Sequence, residues 1–184
     1  PATPGAANIE SGIFNILPVP SISIQSGFYS SALNVSASHS LPDVVIHYTS
    51  DGTIPTSSSN EYSIPIQIDS TSVLRFRAIK DGFTPSLIET RTYFINETTD
   101  LPVFSLVTDP ANFFSDTSGI YVIGTNGIIA NCSTGPRNWN QDWERPVSLE
   151  FLEFDKSLAF KVNTGVKING GCSRLYPQKS LAFF

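Results

Sequence analysis

The sequence predicts a mainly β fold, a β-sandwich followed by a second β-rich unit. Short runs of alternating apolar and polar residues recur along the chain, separated by Gly, Pro, Asp and Asn. No stretch of useful length carries the period of an amphipathic helix. The composition, 40% hydrophobic and 15% charged, permits a buried core. At 184 residues the chain is long enough for one large or two small domains.

Residues 1–17 read as a linker, with Pro1, Pro4 and Gly5 among small residues. The run 13–17 is apolar enough to add an edge strand. Candidate strands then follow at 21–26, 32–38, 44–50, 64–69, 72–80 and 88–95. Within 73–79, Leu74, Phe76 and Ala78 fall on one face, and Arg75 and Arg77 on the other, which the pattern turns to water. Asp51-Gly52 and Asp81-Gly82 are turn signals, and Pro55 ends the first excursion. The polar stretch 96–101 is a joint. Beyond it, 103–107 is a strand, Asp109-Pro110 caps and opens one helical turn through Phe114, and 120–124 is a short apolar strand. Residues 125–141 form a long loop, of a length that is usually functional or disordered. A strand at 146–154 turns at Asp155-Lys156 and pairs back through 158–162.

The last twenty residues gather glycines, cations and strand pattern. Val166 and Ile168 alternate with Lys167 and Asn169, Gly170-Gly171 breaks the run, and 180–184 reads as a further strand. Backbone N–H groups of such a loop, together with Arg174 and Lys179, suit an anion. The same pattern also describes a strand–loop–strand with solvated cations. After Asp155 every charged residue is basic. Cys132 and Cys172 are the only cysteines. They either form a disulfide, stabilising by about 3–4 kcal/mol, or remain two buried thiols. No metal site is expected, since His39 and His47 are too distant to complete a ligand set with them. Three Asn-X-Ser/Thr sequences occur, at Asn34, Asn96 and Asn131.

The net charge of −5 argues against general nucleic-acid binding. No apolar run has the length of a membrane span. The absence of Met and of a signal-peptide pattern suggests a mature fragment or an excised piece.

Some of these residues carry resemblances. Gly27-Phe28-Tyr29, then Val45-Ile46-His47-Tyr48-Thr49-Ser50-Asp51-Gly52-Thr53-Ile54-Pro55-Thr56, Tyr62, Leu74-Arg75-Phe76-Arg77-Ala78, Ser86 and Thr92-Tyr93 occur in that order. Together they resemble the chitobiase/β-hexosaminidase C-terminal type of domain. That resemblance implies an immunoglobulin-like or fibronectin-III-like sandwich over residues 18–96, an accessory module of secreted enzymes without catalytic residues of its own. Tyr48 would pack in its core and Asp51 cap its turn, with a sugar-contacting patch of Tyr48, Asp51 and Tyr62 as the alternative. The opening TPGAAN resembles the end of lamin-tail-type domains.

Residues 97–184 resemble the N-terminal part of the spore coat protein H (CotH) kinase-like family. The carrying residues are Leu101–Asp109, Ser118-Gly119-Ile120-Tyr121-Val122, Trp143-Glu144-Arg145-Pro146-Val147, Gly165-Val166-Lys167-Ile168, Gly170, Ser173-Arg174 and Gln178-Lys179-Ser180-Leu181. This implies a truncated, β-rich, kinase-like N-lobe of a secreted or surface-associated bacterial protein. Phosphoryl transfer needs cations for phosphates and carboxylates for Mg²⁺. Arg174 and Lys179 are the candidate phosphate contacts, and no catalytic residue is assigned. ATP and Mg²⁺ would serve only the parent protein. The expected function is therefore a non-catalytic accessory or structural module whose first partner is the rest of its own polypeptide. The alternatives are a part of an exported kinase acting on surface proteins, and a glycan-binding or adhesion module.

Overall fold

The computed structural model describes residues 15–130 and 132–184. The TPGAAN opening, most of the expected linker and Asn131 lie outside the described residues. From Asn15 onward the lead is docked: Leu17 N–H donates to Thr84 O at 3.0 Å, and Thr84 N–H donates to Asn15 O at 3.1 Å. Leu17 is buried, so this end of the expected linker belongs to the folded body.

The fold is mainly β. In chain order the first strands are β1 (Ser21–Ile22), β2 (Gly27–Tyr29), β3 (Leu33–Val35), β4 (Ala37–Ser38), β5 (Val45–Thr49), β6 (Asn60–Glu61), β7 (Ile66–Ile68), β8 (Ser72–Ile79) and β9 (Glu89–Ile95). They make an immunoglobulin-like sandwich. One layer is a five-stranded sheet in the order β2-β9-β8-β5-β6, and the pairs β1-β4 and β3-β7 supply the other. All neighbours are antiparallel except β2 with β9, which run parallel. Val35, Ile46, Ile68, Leu74, Phe76, Tyr93 and Ile95 form the core between the layers. Burying the Phe76 and Tyr93 rings accounts for much of its apolar contribution, about 2–3 kcal/mol for a phenylalanine-sized side chain.

A second sheet follows, in the order β10-β11-β12-β13. Its antiparallel strands are β10 (Val103–Val107), β11 (Arg145–Leu152), β12 (Leu158–Asn169) and β13 (Ser180–Phe183). Helix α1 (Pro110–Phe114) starts where Asp109 accepts from Ala111 N–H, with Pro110 at its first position. Phe113, Ile120, Trp139, Val147, Val166 and Ile168 form the core on one face of this sheet. Farther along the same face Phe104, Phe151 and Phe160 lean on one another, with centroids 4.4 and 5.7 Å apart along the chain of contacts.

Three expectations are corrected. Residues 120–124 form no strand, because Ile120 and Tyr121 donate their N–H groups to Asn112 O and Phe113 O. The helix's orphan carbonyls thereby take donors that a ladder would have used. Residues 158–162 and 166–168 are not separate strands but one, β12, which runs through Gly165 opposite Pro146. Arg75 and Arg77 do not face water. The second sheet packs over that face, leaving Arg75 buried and Arg77 half-buried. Among the described residues, no helix is long and apolar enough to cross a membrane.

Candidate ligand-binding cleft

Alternation in β8 places the cleft. Because Leu74, Phe76 and Ala78 enter the sandwich core, Arg75 and Arg77 must leave through the opposite face, beside Thr49 and His47 of β5. The second sheet faces them with Ser148 of β11 and with 163–165 of β12. Between the two lies a cleft of about 700 Å³, closed at the sides by Ile16, Ile54, residues 84–88 and Pro146. That volume falls within the range of small-ligand sites.

Three charged residues line it: Arg75, Arg77 and Glu144. Arg75 donates from Nη1 to Gly52 O at 2.6 Å. Burial pushes its guanidinium pKa down, and the Asp109 carboxylate partly opposes this. Its Nε has no partner among the described residues, and neither has Ser148 Oγ. Arg77 donates from Nε to Ser86 O at 3.0 Å. The exposed Glu144 side chain lies over Gly165, where a Cβ would stand, so this wall depends on a glycine.

Polar contacts lock the walls together at the edge of β9. Ser26 Oγ donates to Glu150 Oε1 at 2.6 Å and accepts from Thr92 N–H at 3.0 Å. Thr92 and Ser105 hydroxyls meet at 2.7 Å. Lys161 Nζ reaches Glu89 Oε1 at 2.6 Å and Thr90 O at 2.7 Å, and Arg91 joins Glu89 at 2.7 Å. Burial lowers the Lys161 pKa, against the pull of Glu89. Glu150, at 1% exposure, stands opposite Lys161 in the β11–β12 ladder. The carboxylates and cations here balance, which is what a buried charge cluster requires.

The candidate phosphate contacts sit elsewhere and are occupied by the protein itself. Arg174 donates from Nε to Gly170 O at 2.6 Å and from Nη1 to Trp139 O at 2.9 Å. Lys179, at 8% exposure, donates from Nζ to Tyr176 O at 2.8 Å. Its ammonium lies 4.0 Å from the Trp139 ring centroid and 5.4 Å from that of Tyr121. Burial lowers its pKa. Cys132 and Cys172 are joined by a disulfide with Cα atoms 5.0 Å apart. The disulfide, the Arg174–Trp139 hydrogen bond and the Lys179 ring contacts fasten the 3₁₀ turn Cys172–Leu175 and its loop to Cys132, Trp139 and Tyr121, and the other two bonds close that loop on itself. The 115–141 segment is itself organised by buried Asn138 and Asn140.

Asp51 accepts from Thr53 N–H at 3.0 Å and Thr53 Oγ1 at 2.6 Å, capping its own turn. Tyr48 and Tyr62 are half-buried against the sandwich core. Among the described residues, no group of three or more His, Cys, Asp or Glu is placed to hold a metal.

Sequence reasoning missed Arg75, Arg77, Ser148 and Glu144 as a group. The available signal was two arginines at i and i+2 on a central strand beside a strand carrying Thr90 and Thr92, small hydroxyls that let another sheet approach closely.

Comparison with known proteins adds three findings. No solved structure matches the chain. An endoglucanase of Clostridium saccharobutylicum is 60% identical over 40 residues, which is 22% of this chain and 9% of that protein, so the alignment spans a small part of either. Residues 24–90 match the family model described as Chitobiase/beta-hexosaminidase C-terminal domain.

Proposed function

We propose that residues 18–96 are a non-catalytic accessory domain that holds residues 97–184 in a fixed orientation, within an exported bacterial protein that acts on carbohydrate. One observation carries the positioning role: the face of β8 and β9 that an isolated sandwich would give to water is covered, and Glu150, Lys161 and Ser26 tie the cover down. The carbohydrate setting rests on the family match at 24–90 and on the similarity to a stretch of an endoglucanase. The disulfide suits an oxidising, exported location.

Affinity electrophoresis in gels cast with hydroxyethyl cellulose, glycol chitin or polygalacturonate tests the proposal. Retardation in at least one gel, with no reducing ends released, is the expected result. A folded chain that none of them retards removes the carbohydrate setting. Release of reducing ends removes the non-catalytic role.

A kinase-like reading of residues 97–184 rests on the motif resemblance, and their antiparallel four-stranded sheet is compatible with it without being specific to it. Phosphate binding at Arg174 and Lys179 would require both to leave the carbonyls of Gly170, Trp139 and Tyr176. Calorimetric titration with ATP tests that reading, and heat that disappears in Lys179→Ala would favour it.

A further inference from the structure

We infer that the cleft between the two sheets binds one uronic acid unit of an acidic saccharide, its carboxylate facing Arg75 and Arg77. The inference rests on the carbohydrate setting proposed above and names the ligand class and the site.

Charge selects the ligand. Arg75 and Arg77 against Glu144 leave the lining with one net positive charge, the complement of a single carboxylate. A phosphate dianion would leave negative charge uncompensated beside Glu144. A neutral sugar would leave Arg77 without an anion and Arg75 with only the neighbouring Asp109 carboxylate. The two arginines are next-but-one neighbours on β8 and so project from the same face, about 7 Å apart. Planar guanidinium groups at that spacing suit a carboxylate and its neighbouring ring oxygens.

Shape agrees with charge. A pyranose ring has an apolar C–H face and a polar rim. Ile54, Ile88 and Pro146 offer apolar surface, while Glu144 and Asn163, both exposed, line the same cleft and can serve rim hydroxyls as an acceptor and a donor. Arg75 and Ser148 line the same space, and Arg75 Nε and Ser148 Oγ are buried without a partner among the described residues. Buried polar atoms are ordinarily paired; Arg91 Nε, Trp139 Nε1 and Glu150 Oε2 are likewise unpaired away from the cleft, so these two atoms add to the argument from charge and shape without carrying it.

Isothermal titration with digalacturonate, and with cellobiose and di-N-acetylchitobiose as neutral probes, tests the inference. Digalacturonate is expected to bind the whole chain, more weakly as salt rises. Arg77→Gln should weaken it about tenfold, as loss of one charge-assisted contact does. Asn163→Ala should weaken it less. Both positions are half-buried or exposed, and unchanged thermal unfolding shows that the variants fold. Digalacturonate binding that Arg77→Gln leaves intact overturns the inference, as does equal binding of the neutral probes. If the neutral probes alone bind, the cleft assignment fails while the carbohydrate setting stands. Absence of heat from all three in a folded chain, together with no retardation in any gel, removes both.

Discussion

Gly52 holds more of this molecule together than its size suggests. Its φ of +83° lies in the left-handed region, which a glycine adopts without strain. A Cβ there would stand 3.2 Å from Thr108 O. Its own carbonyl accepts from Arg75, and two residues on, Ile54 N–H donates to Asp109 Oδ2 at 3.2 Å. Asp109 is also the cap of α1. One turn of the sandwich thus meets a cleft cation and the start of the second unit's helix. Gly52→Ala should cost about 1–2 kcal/mol from the backbone conformation and the tight approach to Thr108 together. Urea denaturation measures this, and an unchanged midpoint would contradict it. Asp51-Gly52 reads as a turn and Asp109-Pro110 as a helix start from local chemistry alone. That they touch does not, because contact across 55 residues is decided by how the sheets dock.

Among the elements, the segment that departs most from its sequence pattern is the one most cross-tied. The expected bounds of β10 and α1 agree with those observed, and those of β8 and β9 differ by a residue, because alternation and capping are local signals. Residues 120–124 fail for a tertiary reason, since their donors go to the end of α1. β2, a three-residue strand parallel to β9, is too short for alternation to mark. Of the candidate site residues, Arg174 and Lys179 both meet Trp139, Lys179 buried and Arg174 half-buried, while Cys132 and Cys172 form an exposed bridge. Sequence shows that a cation is present, not whether a backbone carbonyl already holds it. The disulfide closes a loop of 40 residues containing Trp139, Asn138 and Asn140. Cys172→Ser should therefore destabilise by about 3 kcal/mol. It should also release the indole from the Lys179 ammonium, shifting tryptophan fluorescence before global unfolding in a denaturant titration. Coincident fluorescence and circular-dichroism transitions at the wild-type midpoint would contradict this.

At the scale of the whole molecule, the two sheets meet through polar groups rather than a shared apolar core. Each sheet has its own hydrophobic cluster, and the clusters share no residue. The contacts that join them include Ser26 to Glu150, Thr92 to Ser105, Lys161 to Glu89 and the Thr90 carbonyl, Ile54 N–H to Asp109, and the Lys156 ammonium over the Phe28 ring. This explains why the cleft was illegible in the sequence. Polar residues on an alternating strand read as solvent-facing, and nothing local tells a solvated face from one buried against a second polar face. It also makes the coupling between the units separable from the stability of either. Lys161 is the residue to test, because its stem lies along the interface while its ammonium makes the contacts. Lys161→Met keeps the stem and removes the charge, leaving Glu89 with Arg91 as its remaining ion-pair partner. The interface should weaken by about 2 kcal/mol, the scale of a largely buried charge-assisted contact. Scanning calorimetry should then resolve two transitions where the wild type shows one, the first from residues 97–184. A Lys161→Met protein that still unfolds in one transition at the wild-type temperature would show that the cores, not the polar seam, carry the coupling.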